Sequence, residues 1–372
     1  MPFVPKPFLH EPFSPILAAT SGAPSALPFS PNARNTSPRG RAMSVYAQHL
    51  ASLYEPELLE SLEGKTLLIT GASGLIGKFF VDSLLASDVD FRLVLPVRKP
   101  SRFADSRVQS FVADICEPLT LPSATRLDAI LHLASPASPA AFAASPIATI
   151  MLNVHATQNL LELASAHHAK FIFASSSEIY GESAKILAET DMGYLDCMDW
   201  RSCYNESKRV GETLTQSFAH EKGTQSVILR IPRTFGATFG AHDDRALSSF
   251  LRDCASDRNI VLKSDGQQMY SFLYVGDCAR SLAFALAKLP TNNAYNIASE
   301  AMSLKDFALR VAGLNPKVRL RIDKTEQAGI TKTQHSVLDT SKIESYGFFP
   351  KFSLQEGLEW TFRILKEQKE RE

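Results

Sequence analysis

The chain has 372 residues, 45% hydrophobic and 21% charged, and Lys plus Arg equal Asp plus Glu at 39 each. This balance is typical of a soluble globular protein, and the zero net charge argues against nucleic acid or an anionic membrane as partner. No apolar run reaches the ~18 residues that would suggest a membrane span. The five cysteines form no C-x-x-C pair, so they indicate neither a disulfide framework nor a metal site. This cysteine usage points to a reducing compartment such as the cytoplasm.

The first 43 residues differ from the rest of the chain. They hold nine of the 21 prolines and a single acid, Glu11. No periodic apolar face can be drawn through them, so we predict a disordered extension. A Ser-rich, acid-poor segment could also be an organelle transit peptide, and a start codon upstream of Met43 is a further alternative.

From residue 44 onward the pattern alternates between helix and strand. Residues 44–64 predict a leading helical segment, and Lys78–Ala86 predicts a helix after the first strand. The predicted strands are Thr66–Thr70, Phe91–Val97, Val108–Val112, Ala129–Leu133, Lys170–Ala174, Ser226–Ile231 and Tyr295–Ser299. Strands that alternate with helices predict an α/β fold of the Rossmann type, a doubly wound parallel sheet.

The alternation weakens beyond Pro232. We therefore expect residues 65–235 to form an NAD(P)-binding Rossmann domain. Residues 236–372 should mainly form a smaller substrate-binding lobe over the carboxyl ends of the strands, where ligands of such sheets bind. A segment at about 271–298 should return to the Rossmann domain.

A glycine-rich loop lies between the first predicted strand and its helix. Gly71, Gly74 and Gly77 follow the spacing G-x-x-G-x-x-G. Glycine lets the backbone turn sharply and approach a pyrophosphate that rests on a helix N-terminus. In this strand, loop and helix setting we interpret the loop as dinucleotide-binding rather than as a turn without a ligand. The spacing resembles that of the short-chain dehydrogenases/reductases.

The ends of the second and third strands bear on the choice between NAD and NADP. An acid after the second strand would hold the ribose hydroxyls of NAD, but Arg98 and Lys99 stand there. This basic pair could accept the 2′-phosphate of NADP, or it could be two solvated loop charges. Asp114, after the third strand, resembles the family's acid that contacts adenine, or it could cap the next turn.

The stretch RSCYNESKRVGETL contains Tyr204 and Lys208, which lie on one face of a predicted helix. Tyrosine has a pKa of about 10 and is a poor base near neutrality, but a nearby ammonium and an oxidised nicotinamide favour the phenolate. Ser176 ends the strand FIFASSS and could hydrogen-bond the substrate oxygen that Tyr204 deprotonates. Together with the glycine loop, this order predicts a catalytic set rather than an exposed helix pair and a capping serine.

These motifs, in this order, resemble the extended short-chain dehydrogenase/reductase (NAD-dependent epimerase/dehydratase) family over about residues 65–365. His132–Ala164 and the stretch ASSSEIYG look most like the UDP-glucuronate decarboxylases of that family. The resemblance implies NAD as cofactor, with NADP as the alternative, a nucleotide-sugar substrate, and a homodimer formed by two helices. Beside the three glycines, Tyr204 and Lys208, the implied cofactor-binding residues are Ser73, Leu75, Ile76, Arg98, Asp114, Ile115, Leu133, Ala134, Ser135 and Asn153.

The resemblance also implies a mechanism. Tyr204 takes the proton from the sugar C4 hydroxyl while a hydride passes to NAD, the β-keto acid loses CO₂, and the hydride returns. Lys208 lowers the pKa of Tyr204, Ser176 orients the C4 oxygen and Glu178 acts at C5. Related 4,6-dehydratases place Asp–Glu where this chain has Ser177 and Glu178, so a dehydratase would lack its acid. Glu178 as a mere surface charge is the alternative.

Two positions depart from the family's pattern. Arg233 replaces an asparagine that usually touches the sugar diphosphate, and Tyr270 replaces an arginine that usually clamps it. Loss of a bidentate cation should weaken phosphate binding, unless Arg233 supplies the charge from its own position. Both residues therefore remain candidates for substrate binding, and the identity of the substrate stays open.

Other functions stay open as well. A dehydrogenase or reductase of a nucleotide-linked polyol would consume NAD(P) from solution, whereas a decarboxylase or a 4-epimerase would not. A non-catalytic dinucleotide-binding module is a further alternative, which the intact Ser176, Tyr204 and Lys208 argue against.

Overall fold

The computed structural model describes residues 43–100, 103–121, 125–136, 138–183, 185–241, 243–323 and 335–371. Apart from Met43, the predicted disordered extension lies outside the described residues. The helices are α1 (Val45–Ala51), α2 (Pro56–Glu60), α3 (Leu75–Leu85), α4 (Pro139–Ala144), α5 (Pro146–His167), α6 (Cys203–Lys222), α7 (Ala246–Ala255), α8 (Val275–Ala287), α9 (Leu304–Gly313), α10 (Ser341–Glu344) and α11 (Leu354–Arg371).

The largest sheet has the architecture that the alternating pattern predicts. Its strands are β1 (Thr66–Thr70), β2 (Arg92–Val97), β3 (Val108–Val112), β4 (Ala129–His132), β5 (Lys170–Ser176), β6 (Ser226–Ile231) and β10 (Asn293–Asn296). Within the described residues they pair in the order β10-β6-β5-β4-β1-β2-β3, and every pair is parallel. The expected α/β fold class is confirmed, and the carboxyl ends of these strands lie along one edge of the sheet.

Alternate residues of the strands pack against helices on the two faces of this sheet. Leu67 lies in one hydrophobic cluster together with Phe79 of α3. Its neighbour Leu68 lies in another cluster with Leu160 and Leu161 of α5. Both faces are therefore buried, as a parallel sheet requires, and this explains why its central strands read as continuous apolar runs.

Smaller sheets are built mainly from the later part of the chain. Their strands are β7 (Arg233–Phe235), β8 (Ile260–Leu262), β9 (Met269–Tyr274), β11 (Glu300–Ser303), β12 (Leu320–Ile322) and β13 (His335–Ser336). Strand β9 pairs with β7, β11 and β13, while β8 pairs with β12. The segment expected to return to the main sheet begins at α8, because β9 is held by its partners in the smaller sheet.

The leading helical segment packs against the body of the chain. His49 of α1 is fully buried, and its Nε2 lies 2.7 Å from the Tyr274 hydroxyl. Its ring stacks on Trp360 of α11 at 4.4 Å between ring centroids, and burial lowers the pKa of His49 to about 4. The segment thus covers apolar surface of the fold. Among the described residues no helix is long and apolar enough to cross a membrane.

We propose that the division between the two lobes falls after β6. Strand β7, which the sequence assigns to the Rossmann domain, pairs with β9 of the smaller sheet. Helix α8 and strand β10, further along the chain, return to the main sheet. The chain thus crosses between the lobes more than once, which places residues of both around the carboxyl edge of the main sheet.

Candidate active site

The glycine loop connects β1 to α3 in a conformation that needs glycine at two positions. Gly71 has a φ of +73°, and a Cβ there would lie 2.7 Å from the Ala134 backbone nitrogen. A Cβ on Gly77 would lie 2.2 Å from the Gly71 carbonyl oxygen. Helix α3 begins at Leu75, three residues before its predicted start, so Gly77 packs inside the first turn.

The N-terminus of α3 has the properties of a pyrophosphate cradle. Gly74 is its N-cap and offers no side-chain cap to the first backbone amides. Ser73 and Gly74 are exposed, while Ile76 faces the cavity described below. Helix-end amides and a helix dipole favour an anion at such an end, so these residues fit a dinucleotide, and their role in binding it stays a prediction.

The end of β4 closes the loop from the other side. The Ala134 backbone N–H donates to the Thr70 hydroxyl oxygen at 3.2 Å, and that oxygen lies 2.9 Å from Nδ1 of His132. His132 is fully buried, and burial lowers its pKa to about 3, so the ring is neutral. Leu133 and Ser135, two of the predicted cofactor-binding residues, line the cavity.

Asn153 of α5 links this end of β4 to α6. It accepts a hydrogen bond from the Ser135 hydroxyl at 2.8 Å and donates to the Ser207 hydroxyl at 2.8 Å. The Ser207 hydroxyl in turn donates to the Tyr204 carbonyl oxygen at 2.9 Å. Asn153 thus belongs to a chain of hydrogen bonds that ends at the Tyr204 backbone.

Tyr204 and Lys208 lie in the first turns of α6 and both are buried. The Lys208 ammonium donates to the Ala174 carbonyl oxygen at 2.8 Å and lies 5.9 Å from the centre of the Tyr204 ring. The Phe142 ring stacks on the Tyr204 ring, with 4.4 Å between the ring centroids. The helical spacing that the sequence indicated thus brings the ammonium beside the phenol.

Burial acts on both groups and favours their neutral forms. It raises the pKa of Tyr204 to about 12, although the hydrogen bond from Ser176 lowers that pKa. Burial also lowers the pKa of Lys208 to about 7, against the carboxylate of Glu212, which raises it. Added positive charge in this cavity would favour the phenolate form of Tyr204.

Ser176 and Glu178 follow directly at the carboxyl end of β5. The Ser176 oxygen accepts a hydrogen bond from the Glu178 backbone N–H at 3.2 Å. Asn205 holds the glutamate, since its amide donates to the Glu178 carbonyl oxygen at 2.8 Å and to the Glu178 carboxylate at 3.2 Å. Ser176, Glu178, Tyr204 and Lys208 all line one cavity, and we call these four the catalytic cluster.

Arg233 lies beside this cluster, on β7. Its guanidinium is 3.8 Å from the Glu178 carboxylate and sits over the Tyr270 ring at 3.7 Å. Tyr270 is buried in β9 and is not one of the residues that line the cavity. The expectation that Tyr270 itself binds substrate stays a prediction. Because β7 and β9 pair side by side, the Tyr270 ring lies against the Arg233 guanidinium.

The cavity has a volume of about 240 Å³ and carries two arginines that sequence reasoning did not assign. Arg201 lies over the Phe142 ring at 4.9 Å. Arg245 precedes α7 and pairs with Asp243 at 2.5 Å. We call Arg201, Arg233 and Arg245 the arginine cluster. Arg201 could have been noticed, since it stands three residues before Tyr204, whereas only the fold brings Arg245 here.

The remaining predicted cofactor-binding residues lie at the ends of β2 and β3. Arg98 is exposed after β2. Asp114 is exposed after β3, and its carboxylate accepts a hydrogen bond from the Cys116 backbone N–H at 2.9 Å. The Ile115 carbonyl oxygen accepts a hydrogen bond from Asn159 at 3.3 Å. Asp114 thus caps a turn, as its alternative interpretation held, and stays available to a ligand through its second oxygen.

The sequence of this chain is similar to those of known proteins. The model of the NAD dependent epimerase/dehydratase family matches residues 67–298. UDP-glucuronic acid decarboxylase 1 of Arabidopsis thaliana is 30% identical over 304 residues, which cover 78% of this chain and 68% of the relative.

Solved structures share the fold. The UDP-glucose 4-epimerase of Thermotoga maritima, determined with UDP-glucose, has a TM-score of 0.71 at 22% identity over 82% of this chain and 99% of its own. The UDP-glucuronic acid 4-epimerase of Bacillus cereus, determined with UDP-glucuronic acid and NAD, has a TM-score of 0.69 at 24% identity over 82% of this chain and all of its own. The resemblance drawn from the motifs is confirmed, and the chain belongs to the NAD dependent epimerase/dehydratase family.

Proposed function

We propose that this protein is an NAD-dependent nucleotide-sugar-modifying enzyme that decarboxylates a nucleotide-linked uronate through transient oxidation at C4. The observation that carries the proposal is the catalytic cluster, in which Ser176, Glu178, Tyr204 and Lys208 line one cavity beside the glycine loop. The relatives with about 30% identity that are named UDP-glucuronic acid decarboxylases support the choice of reaction.

Each member of the cluster has a distinct role in the proposal. Tyr204 is the base that removes the C4 hydroxyl proton, and Ser176, which lines the cavity beside that phenol, orients the same substrate oxygen. Lys208 stabilises the phenolate from 5.9 Å. The glycine loop would hold NAD, which when bound would supply the acceptor and donor of the C4 hydride. Loss of CO₂ then follows from the β-keto acid that C4 oxidation creates.

Glu178 is placed to act at the neighbouring carbon. Its carboxylate accepts a hydrogen bond from Asn205 and faces Arg233, and both contacts favour an orientation toward the cavity. We propose that it acts on the C5 side of the sugar. The guanidinium of Arg233 moderates the repulsion between Glu178 and an anionic substrate, because opposite charges within a few Å offset each other.

The arginine cluster supports a substrate that carries a diphosphate. Three guanidinium groups, from Arg201, Arg233 and Arg245, line a cavity of about 240 Å³. Guanidinium groups bind phosphate oxygens in a planar fork that lysine cannot reproduce. We propose that Arg233 is the cation that replaces the missing arginine at position 270. Strands β7 and β9 pair, so the Arg233 guanidinium lies over the Tyr270 ring, next to the position of the missing cation.

We also propose a homodimer formed through α5 and α6. Ile147, Ile150, Met151 and Val210 of these two helices are exposed by between 39% and 74%. Apolar side chains at this density on two packed helices suit an interface between copies. Light scattering of the purified protein should report a dimer, and Met151→Lys should shift it toward a monomer.

The function is tested by mass spectrometry with a panel of nucleotide sugars. The purified protein, with its bound dinucleotide identified after denaturation, is incubated with each sugar and no added cofactor. A decarboxylated product from a uronate supports the proposal. A product of unchanged mass and inverted C4 would make the protein a 4-epimerase, and turnover only with added NAD(P)H would make it a reductase.

A further inference from the structure

Helix α6 carries a third polar side chain on the face that bears Tyr204 and Lys208. Glu212 follows Lys208 by four residues, as Lys208 follows Tyr204, so the three side chains form a row along one side of the helix. All three are buried. A carboxylate is rarely buried without a defined partner, so the surroundings of Glu212 show what this residue does.

Three consecutive residues of β5 face the three members of this row. Ser176 lines the same cavity as Tyr204, and its hydroxyl favours the ionised form of the phenol. The Ala174 carbonyl oxygen accepts a hydrogen bond from the Lys208 ammonium at 2.8 Å. The Ser175 hydroxyl donates to the Glu212 carboxylate at 2.5 Å. The end of β5 thus fixes the position of α6 along the strand through these contacts.

Glu212 is also paired with a buried arginine. Arg230 of β6 donates to both Glu212 oxygens, from Nε at 3.1 Å and from Nη2 at 2.8 Å. Another nitrogen of Arg230 donates to the Tyr180 hydroxyl at 2.8 Å, and that hydroxyl donates to the Asn296 side chain at 2.6 Å. Tyr180 ends the short 3-10 turn Ser177–Tyr180, which carries Glu178.

The network therefore joins the two segments that bear the catalytic cluster. It connects α6, with Tyr204 and Lys208, to the turn that carries Glu178, through side chains of β5, β6 and β10. Ser175 and Arg230 are direct neighbours across the sheet, as are Arg230 and Asn296. Buried networks of this kind hold their members in one arrangement when every group is satisfied.

The charge of Glu212 also acts on Lys208. The groups that face Lys208 are the Tyr204 phenol on α6, the neutral His132 on β4, the Phe173 ring at 4.8 Å and Glu212. Burial favours the neutral amine, and the carboxylate of Glu212 favours the ammonium. Loss of this carboxylate would leave burial unopposed, so the amine would lose its proton at a lower pH.

We propose that Glu212 is a positioning residue of the catalytic centre, which fixes α6 through Ser175 and Arg230 and keeps Lys208 charged beside Tyr204. The inference rests on the proposed function, in which the Lys208 ammonium stabilises the Tyr204 phenolate. A purely structural ion pair between Glu212 and Arg230 would hold the helix in place but would leave the proton affinity of Lys208 unchanged. That difference can be measured without substrate.

The experiment measures the pKa of Lys208 directly in the full chain. Lysines are labelled with trace acetic anhydride over a range of pH, and the labelled fraction of Lys208 is read from peptide mass spectra. We expect Glu212→Gln to lower the pKa of Lys208 by about one pH unit, the lower end of the effect of an opposite charge. Glu212→Asp, which keeps the charge, should restore most of the wild-type value.

The control is Glu206→Gln, on the same helix. Glu206 pairs with Arg209 at 3.2 Å near the surface, and its loss should leave the Lys208 titration unchanged. If Glu212→Gln does not fold, Glu212→Met combined with Arg230→Met removes the pair without leaving a buried charge alone, and the same fall is expected.

An unchanged Lys208 titration in the folded Gln or Met variants would overturn the proposal and make Glu212 structural only. Because the readout requires no turnover, this outcome is distinct from failure of the proposed reaction, which would appear as absence of product in the nucleotide-sugar panel.

Discussion

The catalytic cluster and the arginine cluster share one cavity but are held in different ways. Tyr204 and Lys208 are buried, and the Lys208 ammonium donates a hydrogen bond to the Ala174 carbonyl oxygen near the end of β5. Arg233 keeps 27% of its side chain exposed and is held by a ring face and by an ion pair of 3.8 Å. Weakly held charges can move to meet a ligand, whereas the proton-transfer groups are in place beforehand.

The more buried catalytic cluster belongs to the motifs that resemble the family, whereas the more exposed arginine cluster includes a position where this chain departs from them. The motifs that carry the resemblance to the family contain all four residues of the catalytic cluster. The looser part holds both departures, Arg233 and Tyr270, and the structure brings those two together. We therefore expect substitutions in the catalytic cluster to affect the chemical step and substitutions in the arginine cluster to affect binding.

The largest effect is expected for Tyr204→Phe, which removes the phenol oxygen that we propose takes the substrate proton. Turnover should fall by at least ~10²–10⁴-fold, while the bound dinucleotide, released by denaturation and quantified, should be unchanged. Tyr194→Phe is the control, since Tyr194 is 66% exposed. Turnover near the wild-type rate in Tyr204→Phe would remove the catalytic assignment.

Arg233→Ala should have the next largest effect, on binding. A hydrogen bond to a charged group contributes about 1.5–3 kcal/mol, so substrate affinity measured by calorimetry should fall roughly 10- to 100-fold. Arg233→Lys should recover only part of it because lysine lacks the planar fork. Arg258→Ala, which breaks a surface pair with Asp253, is the matched control. Equal affinities for Arg233→Ala and wild type would show that this guanidinium does not touch the substrate.

A smaller effect is expected at Tyr270, which supports Arg233 without lining the cavity. Tyr270→Leu removes the ring face beneath the guanidinium, a contact of about 1 kcal/mol, so substrate affinity should fall roughly fivefold. Tyr270→Phe keeps the ring and should retain most of the affinity. If the Phe variant is as weak as the Leu variant, the hydroxyl rather than the ring supports Arg233.

The smallest effect is expected at Arg98. Its side chain is exposed at the end of β2, and a solvated charge contributes little to a contact. Arg98→Ala should change NAD affinity by less than about twofold, as measured by tryptophan fluorescence titration of protein stripped of dinucleotide. Release of NADP from the purified protein, or a marked loss of its binding in Arg98→Ala, would assign the basic pair to the 2′-phosphate instead.

The sequence predicted best those features that depend on neighbours along the chain. The glycine loop and the row of Tyr204 and Lys208 require only local geometry, because a helix fixes the spacing of its own side chains. The parallel sheet followed from the alternation of strands and helices. Arg245 and the pair of Glu212 with Arg230 depend on which strands and helices lie side by side, and a single sequence does not contain that information.

Tyr270 illustrates the same limit. Its position in the motif suggested a contact with substrate, and the register of β7 beside β9 turned it into a platform for Arg233. The motif suggested that positions 233 and 270 both contact the substrate, and the structure places the two side chains against each other. The motif could not indicate which of the two side chains faces the cavity, because pairing between strands of distant sequence decides that question.

The most direct test of the proposed function is incubation of the purified protein with UDP-glucuronate in D₂O and no added cofactor. Loss of CO₂ after C4 oxidation leaves a carbanion equivalent at C5 that takes its proton from solvent. We predict a nucleotide pentose that has lost the carboxyl group and carries one non-exchangeable deuterium. The Tyr204→Phe variant should form no such product. A product that keeps its carboxylate, or product formation that depends on added NAD(P)H, would contradict the proposed function.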